Sequence, residues 1–395
     1  MNRKLPLEGV RVIEFSHMIM GPSCGLVLAD LGADVIKVEP MGDGDNTRKL
    51  AGSGAGFFVA FNRNKRSIQL DLKSAKGMAF VRKLIASADV MTENFRPGAL
   101  EALVLGYDDL KMDHPSLIYC SLKGFLSGPY EHRAALDEVV QMMGGLAYMT
   151  GPPGRPLRAG ASVNDIMGGM FAVIGIQAAL LERARTGLGQ SVKSALFENN
   201  MYLMATHMMQ FAVTGKPAAP MPERIAAWAI YDVFDTSSGE QVFVGVVSDR
   251  QWQMFCTEFG LDHLMGVSGL GSNADRVRAR DQFMPHVRAV FGGLAREDIL
   301  ARCERINLPY AAIARPEDLF DDPHLMHPGA MLDITLADGR TVSVPALPLE
   351  MAGARLPLRR DIPHAGEHSH EIARELGFTE DDIAELHVSG TLGKG

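Results

Sequence analysis

Two periodicities alternate through the first third of the chain, and that alternation restricts the possible folds more than any other feature. Residues 9–15 read as a strand and 21–31 as a helix opened by Gly21, Pro22 and Ser23. Gly32 and Ala33 end that helix, and 34–39 is a second strand. Residues 67–72 form a short strand, 75–88 an amphipathic helix, and 89–94 and 116–121 two further strands. Strands separated by helices at this spacing predict an α/β fold, a doubly wound, mostly parallel Rossmann-like sheet. Such sheets bind ligands beyond the carboxyl ends of their strands, which puts His17, Glu39, Asn94 and Lys123 on one edge. The run from His17 to Gly25 lacks G-x-G-x-x-G, and no Walker phosphate loop is present. An NAD-dependent dehydrogenase is thereby disfavoured.

Residues 167–214 read as strongly helical, with a Met stripe (Met201, Met204, Met208, Met209) suited to a core or a subunit interface. The apolar run 167–181 is broken by Gly168, Gly169, Gly175 and Gln177, so a core helix is expected rather than a membrane span. After a Pro-rich connector at 215–222 come strands at 228–235 and 241–248 and helices over 249–306. A hairpin at 333–344 turns at Asp338-Gly339, and two helices (367–376, 379–389) close the chain. With 395 residues, two domains are expected. The large one covers 1–200 and is completed by 340–395. A linker (201–227) leads to a smaller α+β domain (228–325), and 326–339 leads back.

A net charge of −8 disfavours nucleic-acid and anionic-membrane partners. The densest basic cluster, Asn62-Arg63-Asn64-Lys65-Arg66 with Lys73 beyond it, is either a local anion site or a solvated surface. Four dispersed cysteines and an N-terminus without an apolar signal region point to a reduced, cytoplasmic protein. G-x-S-x-G, H-E-x-x-H and metal-ligand spacings are missing, so no metal is expected.

Asp165 then stands out, where the Gly/Pro-rich stretch 151–162 gives way to the apolar helix. In a first helical turn its carboxylate is expected to be ionised and aimed outward. Gly168 and Gly169 would leave room for a substrate in front of it. The ordinary alternative is a helix cap. A carboxylate in such a place can act as a covalent nucleophile or as a general acid/base, and spacing does not choose.

Several blocks together do choose. The opening from Gly9 through Gly21-Pro22 to Glu39, Asn62 to Ile68, and Glu93 to Gly98 are three of them. Leu122-Lys123-Gly124, Gln141 to Gly145, Asp165 with its glycines, Arg185 to Gln190, and Gly366-Glu367-His368 are the rest. Together they resemble the class III CoA-transferase family, a group that includes formyl-CoA and carnitine CoA-transferases and α-methylacyl-CoA racemases. The resemblance implies Asp165 as nucleophile, coenzyme A as cosubstrate without a prosthetic group, and an interlocked homodimer. It implies CoA contacts at His17, Leu70, Lys73, Asn94, Phe95 and Arg96. Lys73 and the basic cluster would suit the phosphates, and Leu70 or Phe95 would flank adenine.

Ile19, Pro40 and Ala102 stand where formyl-CoA transferase-like members carry Gln and two basic residues, and their tetraglycine loop is missing after Pro222. Formyl or oxalate specificity is therefore disfavoured. Racemases carry a His before an Asp where this chain has Leu136-Asp137, and racemisation needs two bases. Asp137 either supports the site or caps its own helix. Arg158 could grip the second carboxylate of a dicarboxylic substrate, or be a solvated loop residue. The expectation is CoA transfer from an acyl-CoA such as succinyl-CoA to a small dicarboxylate, through an aspartyl anhydride and an aspartyl-CoA thioester. A racemase and a non-catalytic CoA-binding protein are the alternatives.

Overall fold

The computed structural model describes residues 4–224 and 226–395. The chain alternates β1 (Arg11–Phe15), α1 (Met20–Asp30), β2 (Asp34–Glu39), α2 (Phe57–Phe61), β3 (Arg66–Gln69) and α3 (Ala75–Ala86). It continues through β4 (Val90–Glu93), α4 (Tyr107–Leu110), β5 (Ile118–Lys123), α5 (Asp137–Met143), α6 (Leu146–Thr150) and α7 (Val163–Thr186). β6 (Ser191–Ala195) and α8 (Leu196–Thr214) follow. The six strands form one parallel sheet in the order β3-β2-β1-β4-β5-β6. Strand order reverses between β1 and β4, and the crevice beyond their carboxyl ends is where doubly wound sheets bind ligands.

The chain divides into two compact units, residues 1–222 with 323–395, and residues 223–322. The second unit is α+β. An antiparallel sheet of β7 (Ile230–Asp235), β8 (Gln241–Val246) and, after four helices, β9 (Tyr310–Ala312) encloses its own core. Those helices are α9 (Asp249–Glu258), α10 (Asn273–Arg278), α11 (Arg280–Gly292) and α12 (Arg296–Arg305). Back in the first unit come the hairpin β10 (Met331–Thr335) and β11 (Thr341–Pro345), then the short pair β12 (Glu350–Met351) and β13 (Ala354–Arg355). Helices α13 (Ser369–Glu375) and α14 (Glu380–Val388) end the fold.

Successive strand residues point to opposite sides of the large sheet, and both sides are covered. Val12, Val35 and Ile118 meet α1 and α7, whereas Ile13, Ile36 and Met91 meet α3, α13 and α14. The basic cluster lies inside this structure, not on its surface. Arg63 pairs with Asp30 at 2.6 Å and Lys65 with Glu14 at 2.9 Å. Arg66 pairs with Asp34 at 2.6 Å and Glu375 at 2.7 Å, tying β3 to the C-terminal helices. All three cations are at most 3 % exposed, so neither a phosphate site nor a solvated surface describes them. Buried charges need partners of this kind.

The helix expected over 167–214 is two helices separated by β6. Gly187, at φ +75°, ends α7, and Gly189 passes so close to β5 that a Cβ there would lie 2.1 Å from Leu117 O. Polar Ser191, Lys193 and Ser194 hid this edge strand in the sequence. At 24 residues α7 is longer than its apolar run, and by length and composition alone it could cross a membrane. It packs instead on α1 and β6, with Gly168, Gly169, Ala172, Val173 and Ile176 buried.

Candidate active site

At the switch point the chain leaves β1 in a turn, Ser16 to Met18, that is braced from several sides. Asn94, just past β4, grips both backbone groups of His17: Oδ1 accepts from its N–H at 3.0 Å and Nδ2 donates to its carbonyl at 2.8 Å. Met18 has φ +63°, unusual for a residue with a side chain, and its N–H donates to Thr47 Oγ1 at 3.0 Å. Below them, fully buried Lys37 donates to Ser16 O at 2.6 Å and pairs with Asp45 at 2.8 Å. The His17 ring lies 5.5 Å from that of Phe95. Burial lowers its pKa, Asp45 opposing and Lys37 assisting, which favours neutral imidazole. Lys123 holds the other side of Phe95, donating to its carbonyl at 2.8 Å and to Glu93 at 2.7 Å.

His17, Asn94, Phe95 and Lys123 thus gather at one edge. Glu39 ends the adjacent strand but is engaged by Arg48 at 2.6 Å and Ser67 at 2.6 Å. Lys73 and Arg96 are exposed and in no ion pair among the described residues. Leu70 differs from expectation. Its side chain is 2 % exposed in the core, bridged to Leu392 by the returning C-terminus, so it offers no face to adenine.

Asp165 sits half-buried in the first turn of α7. The N–H groups of Asn164 and Asp165 donate to Asp137 Oδ1 at 2.8 and 3.3 Å, so a carboxylate from α5 occupies the helix terminus. Asp137 therefore caps α7 rather than its own helix, whose cap position is Leu136. Its other oxygen accepts from Gln141 Nε2 at 2.5 Å, and Gln141 Oε1 accepts from Ala159 N at 2.8 Å. The Asp165 carboxyl is left in no hydrogen bond or ion pair among the described residues. Burial, then repulsion from Asp137, pushes its pKa up from 3.8 to about 7, with Arg158 pulling the other way. Desolvation thus opposes the expected ionised state, at a helix terminus that is already occupied.

The two glycines also act differently from expectation. A Cβ on Gly168 would lie 2.3 Å from Met20 Cε, and one on Gly169 would lie 2.0 Å from Ser23 Oγ. They let α7 press against α1 rather than clear a path for substrate. Gly169 shares a helix face with Asp165, four residues earlier, which sets Asp165 one turn of α7 from this contact with the start of α1. The braced His17 turn leads into that same start. Arg158 is half-buried and ion-paired to Glu138 on α5, while Leu136 is 64 % exposed. A cavity of about 260 Å³ among Arg11, Asp34, Arg66 and Glu375 lies at the opposite, amino end of the strands and includes none of these residues.

Gln141 was missed as a site residue, although its spacing four residues after Asp137 places both on one helix face. Lys37, Asp45 and Thr47 were missed as well. No local pattern marks residues whose task is to hold a distant turn.

Residues 7–369 match the model of CoA-transferase family III. A succinate–glutarate CoA-transferase of Agrobacterium fabrum is 35% identical, covering 95% of this chain and 96% of that protein. A succinyl-CoA:glutarate CoA-transferase of Homo sapiens is 30% identical, covering 99% of this chain and 91% of that one. A crystal structure of a CAIB/BAIF family protein from Brucella suis superposes with TM-score 0.84 at 35% identity, covering 95% of this chain and 100% of that one. The chain belongs to CoA-transferase family III and is an enzyme that moves CoA between an acyl-CoA and a carboxylate.

Proposed function

We propose that the enzyme carries CoA from succinyl-CoA to a second small dicarboxylate through covalent intermediates on Asp165. The observation that carries this reading is the state of that carboxyl: desolvated, without a hydrogen-bond or ion-pair partner among the described residues, on a helix terminus capped by Asp137. A purely structural aspartate would take those N–H groups itself. A nucleophile needs its lone pairs free.

In the first step Asp165 Oδ attacks the thioester carbonyl carbon. The C–S bond breaks, CoA leaves as thiolate and a mixed anhydride remains. The thiolate then attacks the Asp165 carbonyl carbon, releasing the donor acid and leaving an aspartyl-CoA thioester. The acceptor carboxylate attacks that carbon, expels the thiolate and forms a second anhydride. Attack of the thiolate on the acceptor's acyl carbon releases the new acyl-CoA and restores Asp165. Two properties support succinate-like substrates. Named relatives act between succinyl-CoA and glutarate, and Arg158 lies near enough to Asp165 to act on its charge. CoA would lie over the His17–Asn94–Phe95 edge, with Lys73 and Arg96 available to its phosphates.

The active molecule is proposed to be an interlocked homodimer. Tyr202, Met208, Met209, Phe211 and Val213 on α8 and Met170 and Ile174 on α7 are exposed in the single chain, an apolar surface suited to a second copy. Intact-protein mass spectrometry under excess succinyl-CoA tests the mechanism: an adduct should form, and hydroxylamine should trap it at Asp165. Absence of an adduct, with Asp165→Ala still exchanging CoA, would overturn it. Leu136 has no proton to give, so solvent deuterium should not enter the α-carbon in the absence of an acceptor acid.

A further inference from the structure

The ion pair between Arg158 and Glu138 lies close enough to Asp165 for Arg158 to act on its charge. Both side chains are partly solvated, at 37% and 48% exposure, and pairs of that kind contribute little to stability. Their backbones, by contrast, are clamped to one frame. Glu138 follows Asp137, fixed on the terminus of α7, and Arg158 precedes Ala159, whose N–H is held by buried Gln141. Arg158 also donates from Nε to Ala159 O at 3.1 Å, which leaves its far nitrogens to a carboxylate.

We propose that Glu138 is an internal stand-in for the distal carboxylate of the substrate, occupying Arg158 in the empty enzyme and displaced when a dicarboxylic acid binds. This deepens the reading above and rests on it. Exchanging one carboxylate for another keeps the guanidinium paired in both states, and the displaced Glu138, already 48% exposed, passes to solvent. What decides is competition with a tethered group whose effective concentration is in the millimolar range. A monocarboxylic acid has nothing with which to displace Glu138 and leaves the pair closed. Glu138 therefore sets how strongly the enzyme prefers acids with a second carboxylate.

The test uses full-length wild type, E138Q, R158Q and the double variant. Succinyl-CoA is the donor, with a dicarboxylic acid and the monocarboxylic acid of equal chain length as acceptors. Equilibrium binding of the two acids is measured alongside. E138Q should lower the dicarboxylate KM by ~3–10-fold, the span expected for losing a millimolar tethered competitor. It should also raise the dicarboxylate-to-monocarboxylate ratio of kcat/KM. R158Q should lower that ratio, and the double variant should behave as R158Q. An E138Q enzyme with wild-type or weaker dicarboxylate binding overturns the stand-in role, even while R158Q still discriminates between acids and the transfer reading survives. A wild type that exchanges no CoA with any acid sinks the transfer reading instead, and the binding comparison then still decides the role of Glu138.

Discussion

At the scale of single residues, the site is governed by desolvation of one carboxyl. A carboxyl whose pKa is higher in the folded than in the unfolded state favours folding only while protonated. Asp165 therefore destabilises the fold increasingly as pH rises from 3.8 through about 7. Asp165→Asn should abolish turnover yet raise the melting temperature above neutrality, with a gain that shrinks to little as pH falls toward 3.8. Thermal melts across pH check this, and equal shifts at every pH would refute it. Turnover needs the ionised form, so kcat/KM should rise with pH on an acid limb near 7. Asp137→Asn keeps an oxygen for the N–H groups of Asn164 and Asp165 but removes the charge that opposes ionisation of Asp165. That limb should move to lower pH, whereas a merely structural role for Asp137 would leave it in place.

Between elements, close approach and buried charge do the positioning. The Cβ of a Gly169→Ala variant would press on Ser23 Oγ and on backbone atoms of Met20 and Cys24. Overpacking of this kind costs about 1–3 kcal/mol, to be read by chemical denaturation. Spreading α1 from α7 should also move Asp165 relative to the His17 turn, so kcat should fall as well. Lys37 is the key brace of that turn. Lys37→Met leaves buried Asp45 without its cation and Glu14 with Lys65 alone, and should destabilise by about 3–5 kcal/mol. In whatever fraction remains folded, loss of the bond to Ser16 O should weaken CoA binding.

For the whole molecule, the returning C-terminus closes the sheet. α13 and α14 cover Ile13, Ile36 and Met91, while Leu392 bridges Leu70 and Arg66 reaches Glu371 and Glu375. A chain ending before α13 should lose its cooperative thermal transition and expose that sheet face to hydrophobic dyes. A truncated chain that still melts cooperatively would show this cover to be dispensable.

The alternation of periods was enough to place β1 to β5 with α1 and α3, because strand and helix periodicity are local properties of which residues are apolar. Asp165 was legible too, as a charged residue at the abrupt start of an apolar helix. Other features were not local. Asn62 to Arg66 looks like a surface cluster until Asp30, Glu14, Asp34 and Glu375 are brought to it from four other segments. β6 is an edge strand with too little apolar character to announce itself. Whether Asp165 takes its own helix terminus or yields it to Asp137 depends on two residues 28 positions apart. The sequence by itself determined which elements form, since periodicity and turn chemistry act over a few neighbours. Only the tertiary structure decided which charges are buried, which partners they meet and hence which carboxyl is left free, because desolvation and Coulomb energy depend on distances in space.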